Sequence, residues 1–497
     1  MRTRFVCVAI MAALAGALMA CSTATAEEPE KMKVIETETP KMPDPIPEGW
    51  VTFHLAHPGP GGAWPGDPNA AIYNKGRYHV HYIYNHNGFA FGHWSSDDMV
   101  YWKWHPTVLK KKNTGHGMFS GTAFRTLDDR IAIIYHGQGS GRNQLAFALD
   151  DNLDSWTQPQ AIIPRQADGT EAKMRNWDPD CWVIGDTYYS LSGGGDPQMM
   201  TSKDMKTWTH VGPVFHKDYP DNITSKRTQD VSCANMFKLG DRWMLLCIDH
   251  ALGARYFLGD FKDGHYLPTY HSLMNWVRRD VFAPETLLTP DGRRVMWAWC
   301  LFNNSGSQAA EGHDFGELGK RQPSGVQLLP RELSLTEEGT VEQRPLRELQ
   351  KLRTDEKSMS NVTVKDGSNI VIGDIAGDTL ELEVTFTAPE AAEFGLNVLC
   401  DKDGNNGVKI ASGKDAETLT VGYNDRAPFK LKKGEDLTLR IFIDKCIIDV
   451  FANDRQAVMV WDDNKPEELS ISLFSKGGDV TIKDLKAWKM KSIYEKK

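Results

Sequence analysis

The chain has 497 residues, too many for one ordinary hydrophobic core and about right for two or three domains. Charged residues make up 25% of it and hydrophobic residues 40%, which is the balance of a soluble globular protein. The net charge is −9 and the folded region has no basic run, so the composition argues against a nucleic-acid partner.

The first residues have the pattern of an export signal. The stretch "MRTRFVCVAIMAALAGALMACSTATAEE" has two arginines, an apolar run from Phe5 to Ala20 that is too short for a membrane span, and then small residues. The letters "LMAC" resemble a bacterial lipobox and predict lipidation of Cys21, although cleavage after "ATA" at 24–26 is the alternative. We expect a signal peptide over 1–26, an extended linker over 27–47, and an exported protein that is lipid-anchored (periplasmic or cell surface) or else secreted.

An internal repeat predicts the architecture of the first domain. The segments "SSDDMVYWKWHPTVL", "ALDDNLDSWTQPQAII" and "TSKDMKTWTHVGPVF" resemble one another, and their tryptophans Trp102, Trp156 and Trp208 are 54 and 52 residues apart. Repeats of about 40–50 residues built from short strands are typical of propeller blades. Five inner strands can be counted, in "GDPNAAIYNKG", "GMFSGTAF", "WDPDCWVIG", "VSCANMFKLG" and "FAPETLLTPDG". They predict a five-bladed propeller over 48–343.

The last third of the chain has a different pattern. The stretch "RPLRELQKLR" has Leu346, Leu349 and Leu352 at helical spacing and predicts a short helix in a connector over 344–359. The stretches "DTLELEVTFT", "LRIFIDKCIIDVF" and "ELSISLFSKGGDVTIKDLKAW" alternate with period two, as half-buried antiparallel strands do. The sequence therefore predicts an all-β protein, a five-bladed β-propeller followed by a C-terminal β-sandwich over 360–492.

Two aspartates stand at the heads of predicted inner strands. Asp67 and Asp178 each precede a proline, which fixes φ and removes a backbone donor, so that the strand begins there. A single Asp-Pro is explained by a strand start alone, but two at matching places in one central channel favour chemistry. Paired carboxylates around a sugar linkage are the machinery of glycoside hydrolysis.

Several motifs occur in an order that is specific to one family. They are "WPGDPNAAIYNKGRYHVHYIYN", "FGHWSSDDMVYW", "FSGTAF", "WDPDCWV", "SCANMFKLGDRWMLL", "DVFAPETLLTPDGRRVMWAW", "PSGVQLLPREL" and "LRIFIDKCIIDVFAND". Together they resemble glycoside hydrolase family 32, the invertase, levanase and inulinase family. The resemblance implies retaining hydrolysis of fructosides, with a carbohydrate as the only partner and with no metal or cofactor. It places Asp67 at the nucleophile and Asp178 at the aspartate that stabilises the transition state.

The resemblance also implies a changed sugar pocket. Phe119, Ser120 and Trp299 match pocket residues of the family, and Trp64 stands in the nucleophile motif. Five polar groups of the family are replaced: its Asn, Gln, Arg, Glu and Tyr correspond to Gly66, Ile83, Trp177, Ser232 and Phe282. Specificity for hydroxyl groups comes from paired polar groups, so we expect poor binding of fructose in the pocket that Trp177, Ser232 and Phe282 now line.

The replaced glutamate is the family's proton donor, and two nearby residues are candidates for its role. Glu285 is seven positions before Gly292, just as Asp178 is seven before Gly185, which predicts that both lie at the same depth. Asp230 is two residues before Ser232, so in a regular strand it faces the same side about 6.6 Å further along. The sequence favours Glu285 and keeps Asp230 as the alternative.

The sequence therefore predicts an exported glycoside hydrolase that acts on oligo- or polysaccharides. The alternative is a carbohydrate-binding pseudoenzyme with the same fold, because the family's glutamate is missing. His79 and His81 share a strand face, but no third ligand is evident and no metal site is predicted.

Overall fold

The structure is a computed structural model that describes residues 30–276, 279–301, 324–462 and 467–494. The predicted signal peptide, including Cys21, lies outside the described residues. No helix in the described ranges is long and apolar enough to cross a membrane.

Five four-stranded antiparallel sheets follow one another along the chain. Blade 1 contains β1 (Pro68–Asn74), β2 (Arg77–Asn85), β3 (Phe89–Ser96) and β4 (Lys103–Trp104), and the four-residue helix α1 (Lys111–Thr114) follows it. Blade 2 contains β5 (Gly117–Arg125), β6 (Ile131–Gln138), β7 (Arg142–Phe147) and β8 (Gln160–Ala161). Blade 3 contains β9 (Asp180–Ile184), β10 (Thr187–Ser192), β11 (Gln198–Ser202) and β12 (Thr209–Pro213).

The last two blades complete the ring. Blade 4 contains β13 (Ser232–Leu239), β14 (Arg242–Asp249), β15 (Gly253–Lys262) and β16 (His265–Leu273). Blade 5 contains β17 (Val281–Leu288), β18 (Arg294–Cys300), β19 (Arg331–Leu335) and β20 (Val341–Pro345). The first strands of the blades contact one another in the order β1, β5, β9, β13, β17 and back to β1. They therefore enclose a central channel, and the predicted five-bladed propeller is confirmed.

The link to the second domain is shorter than predicted. The short helix expected there is a 3-10 helix, η1 (Arg347–Leu352), and Leu346, Leu349 and Leu352 are all buried. Their spacing of three matches the 3-10 helix, which has three residues per turn. The sandwich begins at Arg353 rather than at 360, because its first strand is a polar edge strand whose exposed residues conceal the period of two.

Two six-stranded sheets form the predicted C-terminal β-sandwich. Its strands are β21 (Arg353–Val364), β22 (Asn369–Ala376), β23 (Thr379–Phe386), β24 (Glu393–Cys400), β25 (Val408–Ser412), β26 (Thr418–Val421), β27 (Asn424–Pro428), β28 (Leu437–Asp444), β29 (Ile447–Ala452), β30 (Gln456–Trp461), β31 (Ser470–Lys476) and β32 (Val480–Met490). The strand orders are β21-β32-β23-β28-β29-β30 and β22-β31-β24-β25-β26-β27. Alternate apolar residues point into one core between the sheets, as at Leu380, Leu382, Val384 and Phe386 of β23.

A buried ionic cluster joins the two domains. Asp444 of the sandwich accepts hydrogen bonds from the backbone amides of Thr52, Phe53 and His54, and from His54 Nδ1 at 2.8 Å. Asp449 Oδ2 lies 3.2 Å from His54 Nε2. Burial by itself lowers the pKa of His54, but the hydrogen bonds and charges of the two aspartates raise it to about 9. The chain segment that leads into blade 1 is thus linked to the sandwich by the protonated His54 ring, which lies between the carboxylates of Asp444 and Asp449.

Residues 30–47 are not a free tether. The Asn113 side chain accepts hydrogen bonds from the backbone amides of Ile35 and Glu36, and Lys110 Nζ lies 2.7 Å from a carboxylate oxygen of Glu36. Met32 is buried. The described part of the expected linker therefore packs on the propeller, because its acidic and apolar residues find matching partners there.

Candidate active site

Asp67 lies at the entrance of the central channel, directly before β1. Its backbone carbonyl accepts a hydrogen bond from the Ile83 amide, so pairing with β2 holds the residue in place. Asp67 Oδ2 accepts a hydrogen bond from Ser120 Oγ at 2.8 Å, while Oδ1 is buried and has no hydrogen-bond partner among the described residues. Burial raises the pKa of Asp67 to about 6, against the hydrogen bonds from Ser120 and Cys233. One oxygen of this carboxylate therefore keeps lone pairs that no described donor uses.

Asp178 comes two residues before β9 and has a left-handed backbone, with φ of 33°. Its Oδ2 accepts a hydrogen bond from the Cys233 amide at 3.1 Å. Burial and the nearby charge of Asp67 raise the pKa of Asp178 to about 7. Two buried carboxylates that repel each other titrate as a pair, and this is a common property of catalytic sites.

Cys233 brings the two aspartates together. Its thiol lies 3.7 Å from Asp67 Oδ2 and 3.7 Å from Asp178 Oδ2, so those oxygens are separated by at most twice that distance. Cys233 has φ of 47° and lies in a β-bulge between Ser232 and Asn235, which turns its amide and its thiol into the channel. The expectation that Asp67 and Asp178 converge on one funnel agrees with this geometry.

Glu285 does not join this pair, and its expected depth is wrong. Its carboxylate accepts a hydrogen bond from the Ala71 amide at 3.2 Å. Burial and the charge of Asp180 raise its pKa, Arg294 opposes this, and neither Asp67 nor Asp178 is among the groups that shift it. Glu285 therefore lies further along the channel, beside Asp180.

The difference in depth comes from the hairpin turns. In blade 3 the strands are joined by two residues between Ile184 and Thr187, whereas in blade 5 five residues separate Leu288 from Arg294. Gly292 therefore lies three residues further beyond the end of its strand than Gly185 does. Counting seven residues back from each glycine thus gives positions that differ in depth by about 10 Å. Phe282, not Glu285, is the residue of blade 5 that corresponds to Asp178.

Asp230 lies beside the pair and is bound on both oxygens. Its Oδ1 accepts a hydrogen bond from Ser232 Oγ at 3.0 Å, and its Oδ2 lies 2.6 Å from His250 Nδ1. Burial by itself raises the pKa of Asp230, but the hydrogen bonds and the charge of His250 lower it below its usual value. Asp230 is therefore ionised at neutral pH, which is the wrong protonation state for a proton donor.

His250 is the residue of this site that the sequence did not identify. It lies in the turn between β14 and β15, and its side chain is 57% exposed. The hydrogen bond that the imidazole donates to Asp230 raises the pKa of His250, as do the charges of Asp230, Asp178 and Asp67, while burial opposes this. The sequence could have pointed to His250 only through its position: it directly follows β14, the strand that pairs with β13, which carries Ser232.

The family models match nearly all of the described chain. The glycosyl hydrolases family 32 N-terminal domain matches residues 57–345, and the family 32 C-terminal domain matches residues 348–489. The chain belongs to glycosyl hydrolase family 32. The predicted resemblance is thus confirmed, and the protein is a fructosidase-like glycoside hydrolase of this family.

Relatives and solved structures agree with this assignment. Sucrose-6-phosphate hydrolase of Escherichia coli is 25% identical over 88% of this chain and 94% of the relative. Levanase of Bacillus subtilis (strain 168) is 26% identical over 87% of this chain and 69% of the relative. Fructan 1-exohydrolase IIa from Cichorium intybus has the same fold, with a TM-score of 0.74 and 19% identity over 90% of this chain and 98% of that structure.

An aromatic wall formed by Trp64, Trp299 and Phe282 lies beside the two aspartates. The rings of Trp64 and Trp299 are 4.8 Å apart and edge-on, and Phe282 lies 6.1 Å from Trp299. These three rings and Cys233 belong to one apolar cluster. Gly66, at the family's asparagine position, has no room for a side chain, because a Cβ there would lie 2.7 Å from Gly325 Cα.

The remaining pocket positions are coupled to one another. Trp177 donates a hydrogen bond from its indole nitrogen to Ser232 Oγ at 3.1 Å, and its ring lies 6.4 Å from that of Phe119. The guanidinium of Arg175 lies over the Trp177 ring, 4.4 Å from its centre. Ile83 is fully buried in the core between blades 1 and 2 and contributes no polar group. The roles of Trp64, Phe119, Ser120, Trp177, Ser232, Phe282 and Trp299 in substrate binding stay predictions.

The described ranges contain one group of potential metal ligands, and it includes neither Asp67 nor Asp178. His93, His105 and Asp154 offer ligand atoms that all lie within 4.8 Å of one another. Their hydrogen bonds are already formed: His105 Nδ1 lies 2.9 Å from Asp154, and His79 Nδ1 lies 2.9 Å from His93 Nε2. Burial lowers the pKa of His79 to about 3 and that of His81 to about 4, so both rings are neutral. The six described cysteines are free thiols.

Proposed function

We propose that this family 32 member hydrolyses a glycosidic bond of an oligo- or polysaccharide, with Asp67 as the nucleophile and retention of configuration. The observation that carries the proposal is the meeting of two buried carboxylates, those of Asp67 and Asp178, at the Cys233 thiol. The unsatisfied Oδ1 of Asp67 supports its role, since a buried and unpaired oxygen is free to attack.

The reaction follows the two-step scheme of retaining glycosidases. Asp67 attacks the anomeric carbon, and the electron pair of the broken bond moves to the leaving oxygen, which takes up a proton. Asp178 stabilises the positive charge that develops on the sugar ring, and its own negative charge is held in place by the Cys233 amide. Water then displaces Asp67 and restores the free carboxylate.

We propose further that the sugar bound at Asp67 is not an unmodified fructose. The relatives are named for sucrose 6-phosphate and levan. In this chain, however, Phe282 takes the place of a polar group of the family and extends the aromatic wall of Trp64 and Trp299, so fructose hydroxyl groups lose a polar partner there. A sugar that presents an apolar face fits such a wall, because aromatic rings pack against C–H groups.

The test is hydrolysis of a glycan panel that includes sucrose, inulin and levan. Products are identified by chromatography, and the anomeric configuration is followed by NMR. We expect turnover of at least one other glycan with retention, weak turnover of the three fructosides, and no turnover by Asp67→Asn. Efficient fructose release from sucrose, inulin or levan contradicts the substrate proposal, and full activity of Asp67→Asn contradicts the mechanism.

A carbohydrate-binding pseudoenzyme is the second candidate. The observation in its favour is Ser232, whose hydroxyl stands where the family carries its acid and is engaged by Trp177 and Asp230. Such a protein binds a glycan from the same panel in calorimetry and hydrolyses none. Asp67→Asn then binds as tightly as the wild-type protein and no product is formed by either.

We also propose that the protein is exported and anchored to a membrane through lipid on Cys21. The support is the apolar run from Phe5 to Ala20 and the lipobox-like "LMAC". Outside the cytoplasm, the propeller would meet oligo- and polysaccharides before they are taken up.

A further inference from the structure

We propose that His250 is the proton donor of this site and that Asp230 is the residue that positions it. The inference rests on the proposed glycoside hydrolysis. It assigns the role of the family's missing glutamate to a histidine in the turn between β14 and β15 of the same blade.

The first support is the hydrogen-bond chain that leads to His250. The Trp177 indole nitrogen binds Ser232 Oγ at 3.1 Å, and Ser232 Oγ binds Asp230 Oδ1 at 3.0 Å. Asp230 Oδ2 then holds His250 Nδ1 at 2.6 Å. Ser232, at the position of the family's acid, is thus connected to the His250 imidazole through one residue, Asp230.

The second support is the orientation of the imidazole. Asp230 occupies Nδ1, and the His250 backbone is fixed at both ends, because its amide donates to Asp230 Oδ2 and its carbonyl accepts from Arg279. The other ring nitrogen, Nε2, is then the one that carries the transferable proton in the imidazolium form, and the side chain is exposed. A carboxylate that fixes one nitrogen and leaves the other for proton transfer is a recurring arrangement in catalysis.

The third support is the place of His250 above the pocket. Its ring is 5.9 Å from that of Phe282, edge-on, and Phe282 belongs to the apolar cluster with Trp299 and Cys233. Asp67 and Asp178 are close enough for their charges to raise the pKa of His250, as Asp230 does. The imidazole is therefore at the mouth of the funnel in which the two aspartates meet.

The charged groups that face His250 favour its protonated form. They are the carboxylates of Asp230, Asp178 and Asp67, opposed by the guanidinium of Arg279 at the His250 carbonyl. Glu285 and Asp230 fit the role less well. Glu285 lies deeper beside Asp180, and Asp230 is held ionised.

One histidine can supply the proton of the first step and accept the proton of the second. In the first step the bond between the anomeric carbon and the leaving oxygen breaks, a bond to Asp67 forms, and Nε2 of the imidazolium gives its proton to the leaving oxygen. In the second step neutral Nε2 takes a proton from the attacking water, the bond to Asp67 breaks, and the imidazolium is restored. The net reaction is the addition of water across the glycosidic bond.

The decisive variant is His250→Asn. The asparagine amide can still donate a hydrogen bond to Asp230, but the side chain has no acidic group to replace Nε2 of the imidazolium. On the glycan that the panel identifies, kcat/KM should fall by about 10²–10⁴-fold, and on the 2,4-dinitrophenyl glycoside of the same sugar the fall should be much smaller. The activated leaving group needs no proton. Sodium azide, which attacks without losing a proton, should restore turnover of the aryl substrate and give a glycosyl azide of retained configuration.

Matched variants separate positioning from chemistry. Asp230→Asn should move the basic limb of the pH profile to lower pH, because the imidazole loses the carboxylate that raises its pKa. Glu285→Gln should leave the ratio between the two substrates unchanged. The C2 proton of His250, followed by NMR, should titrate above its ordinary pKa in the wild-type protein and at lower pH in Asp230→Asn.

Each outcome decides between the two proposals. If His250→Asn loses equal activity on both substrates, or none, His250 is not the donor although the hydrolase stands. If Glu285→Gln shows the leaving-group pattern, Glu285 has the role. If Asp67→Asn is as active as the wild-type protein, the proposed mechanism fails, and if the wild-type protein hydrolyses nothing, both proposals are overturned.

Discussion

The indole of Trp177 is hydrogen-bonded to the hydroxyl of Ser232, over 3.1 Å. By the resemblance of the sequence motifs, these positions correspond to an arginine and to the catalytic glutamate of family 32, so two predicted departures from the family form a single contact. The side chains at the two positions therefore depend on each other in this structure.

This contact predicts that the family's glutamate cannot simply be restored. Ser232→Glu places a longer side chain where the indole stands, which should destabilise the protein by about 1–3 kcal/mol through overpacking and create no sucrose hydrolysis. Ser232→Glu combined with Trp177→Arg should be more stable than Ser232→Glu alone. Thermal unfolding and a sucrose assay check this, and fructose release by Ser232→Glu alone would show that the indole does not block the site.

A second prediction concerns the stability of the Asp67 variant. Burial raises the folded-state pKa of Asp67 from 3.8 to about 6, so its ionised form opposes folding, and this cost appears as the pH rises from 4 through 6. Asp67→Asn should abolish turnover and yet stabilise the protein at pH 8 by about 1–3 kcal/mol, with a smaller gain at pH 4. Urea unfolding at both pH values measures the effect.

The control for this prediction is Asp129→Asn, since Asp129 has a side chain that is 81% exposed. It should change neither activity nor the pH dependence of stability. Equal effects of the two variants would show that burial of Asp67 does not set its pKa.

A third prediction concerns the contact between the two domains. The pKa of His54 is raised from 6.5 to about 9, so its stabilising effect is complete below pH 6.5 and is lost as the pH rises through 9. The melting temperature should fall over this range. His54→Gln should be less stable at pH 6, by about 3 kcal/mol, and should lack this part of the pH dependence. Calorimetry between pH 6 and 10 provides the measurement; parallel curves for both proteins would contradict the prediction.

A fourth prediction tests the narrow space at Gly66. A Cβ there would lie 2.7 Å from Gly325 Cα and 3.0 Å from Trp299 Nε1, so Gly66→Ala should cost about 1–3 kcal/mol and weaken binding in the pocket. Gly373→Ala is the matched control, because a Cβ at Gly373 meets nothing within 4 Å. Unfolding in urea should separate the two variants, and equal stabilities would mean that the backbone at Gly66 moves freely.

The last prediction concerns Cys21. Because Cys21 directly follows the apolar run and "LMA", Cys21→Ala should move the protein from membrane fractions to soluble ones. Fractionation with immunoblotting, and mass spectrometry of the N-terminus, check this. A wild-type protein that is soluble and begins at Glu27 would contradict lipidation.

The sequence determined by itself the features that depend on local contacts. In each of three blades the repeated tryptophan donates its indole proton to the carbonyl three residues earlier: Trp102 to Met99, Trp156 to Leu153 and Trp208 to Met205. Those three acceptor residues all have φ near 58°, so one turn recurs with the repeat. Because each turn is complete within a few residues, its spacing was enough to predict the blades, and Asp67 and Asp178 follow from the strand starts.

Only the tertiary structure decided which acidic and basic groups meet. Counted from the hairpin of blade 4, where Leu239 pairs with Arg242, Asp230 would stand opposite Ala251. The bulge between Ser232 and Asn235 shifts the register by one residue, so that Ser232 pairs with Ile248 and Asp230 reaches His250. A bulge and a longer hairpin leave no periodic trace in the sequence, yet each moves a side chain along a strand by several ångströms. For this reason the fold could be derived from the chain alone, whereas the depth of Glu285 and the pairing of His250 with Asp230 could not.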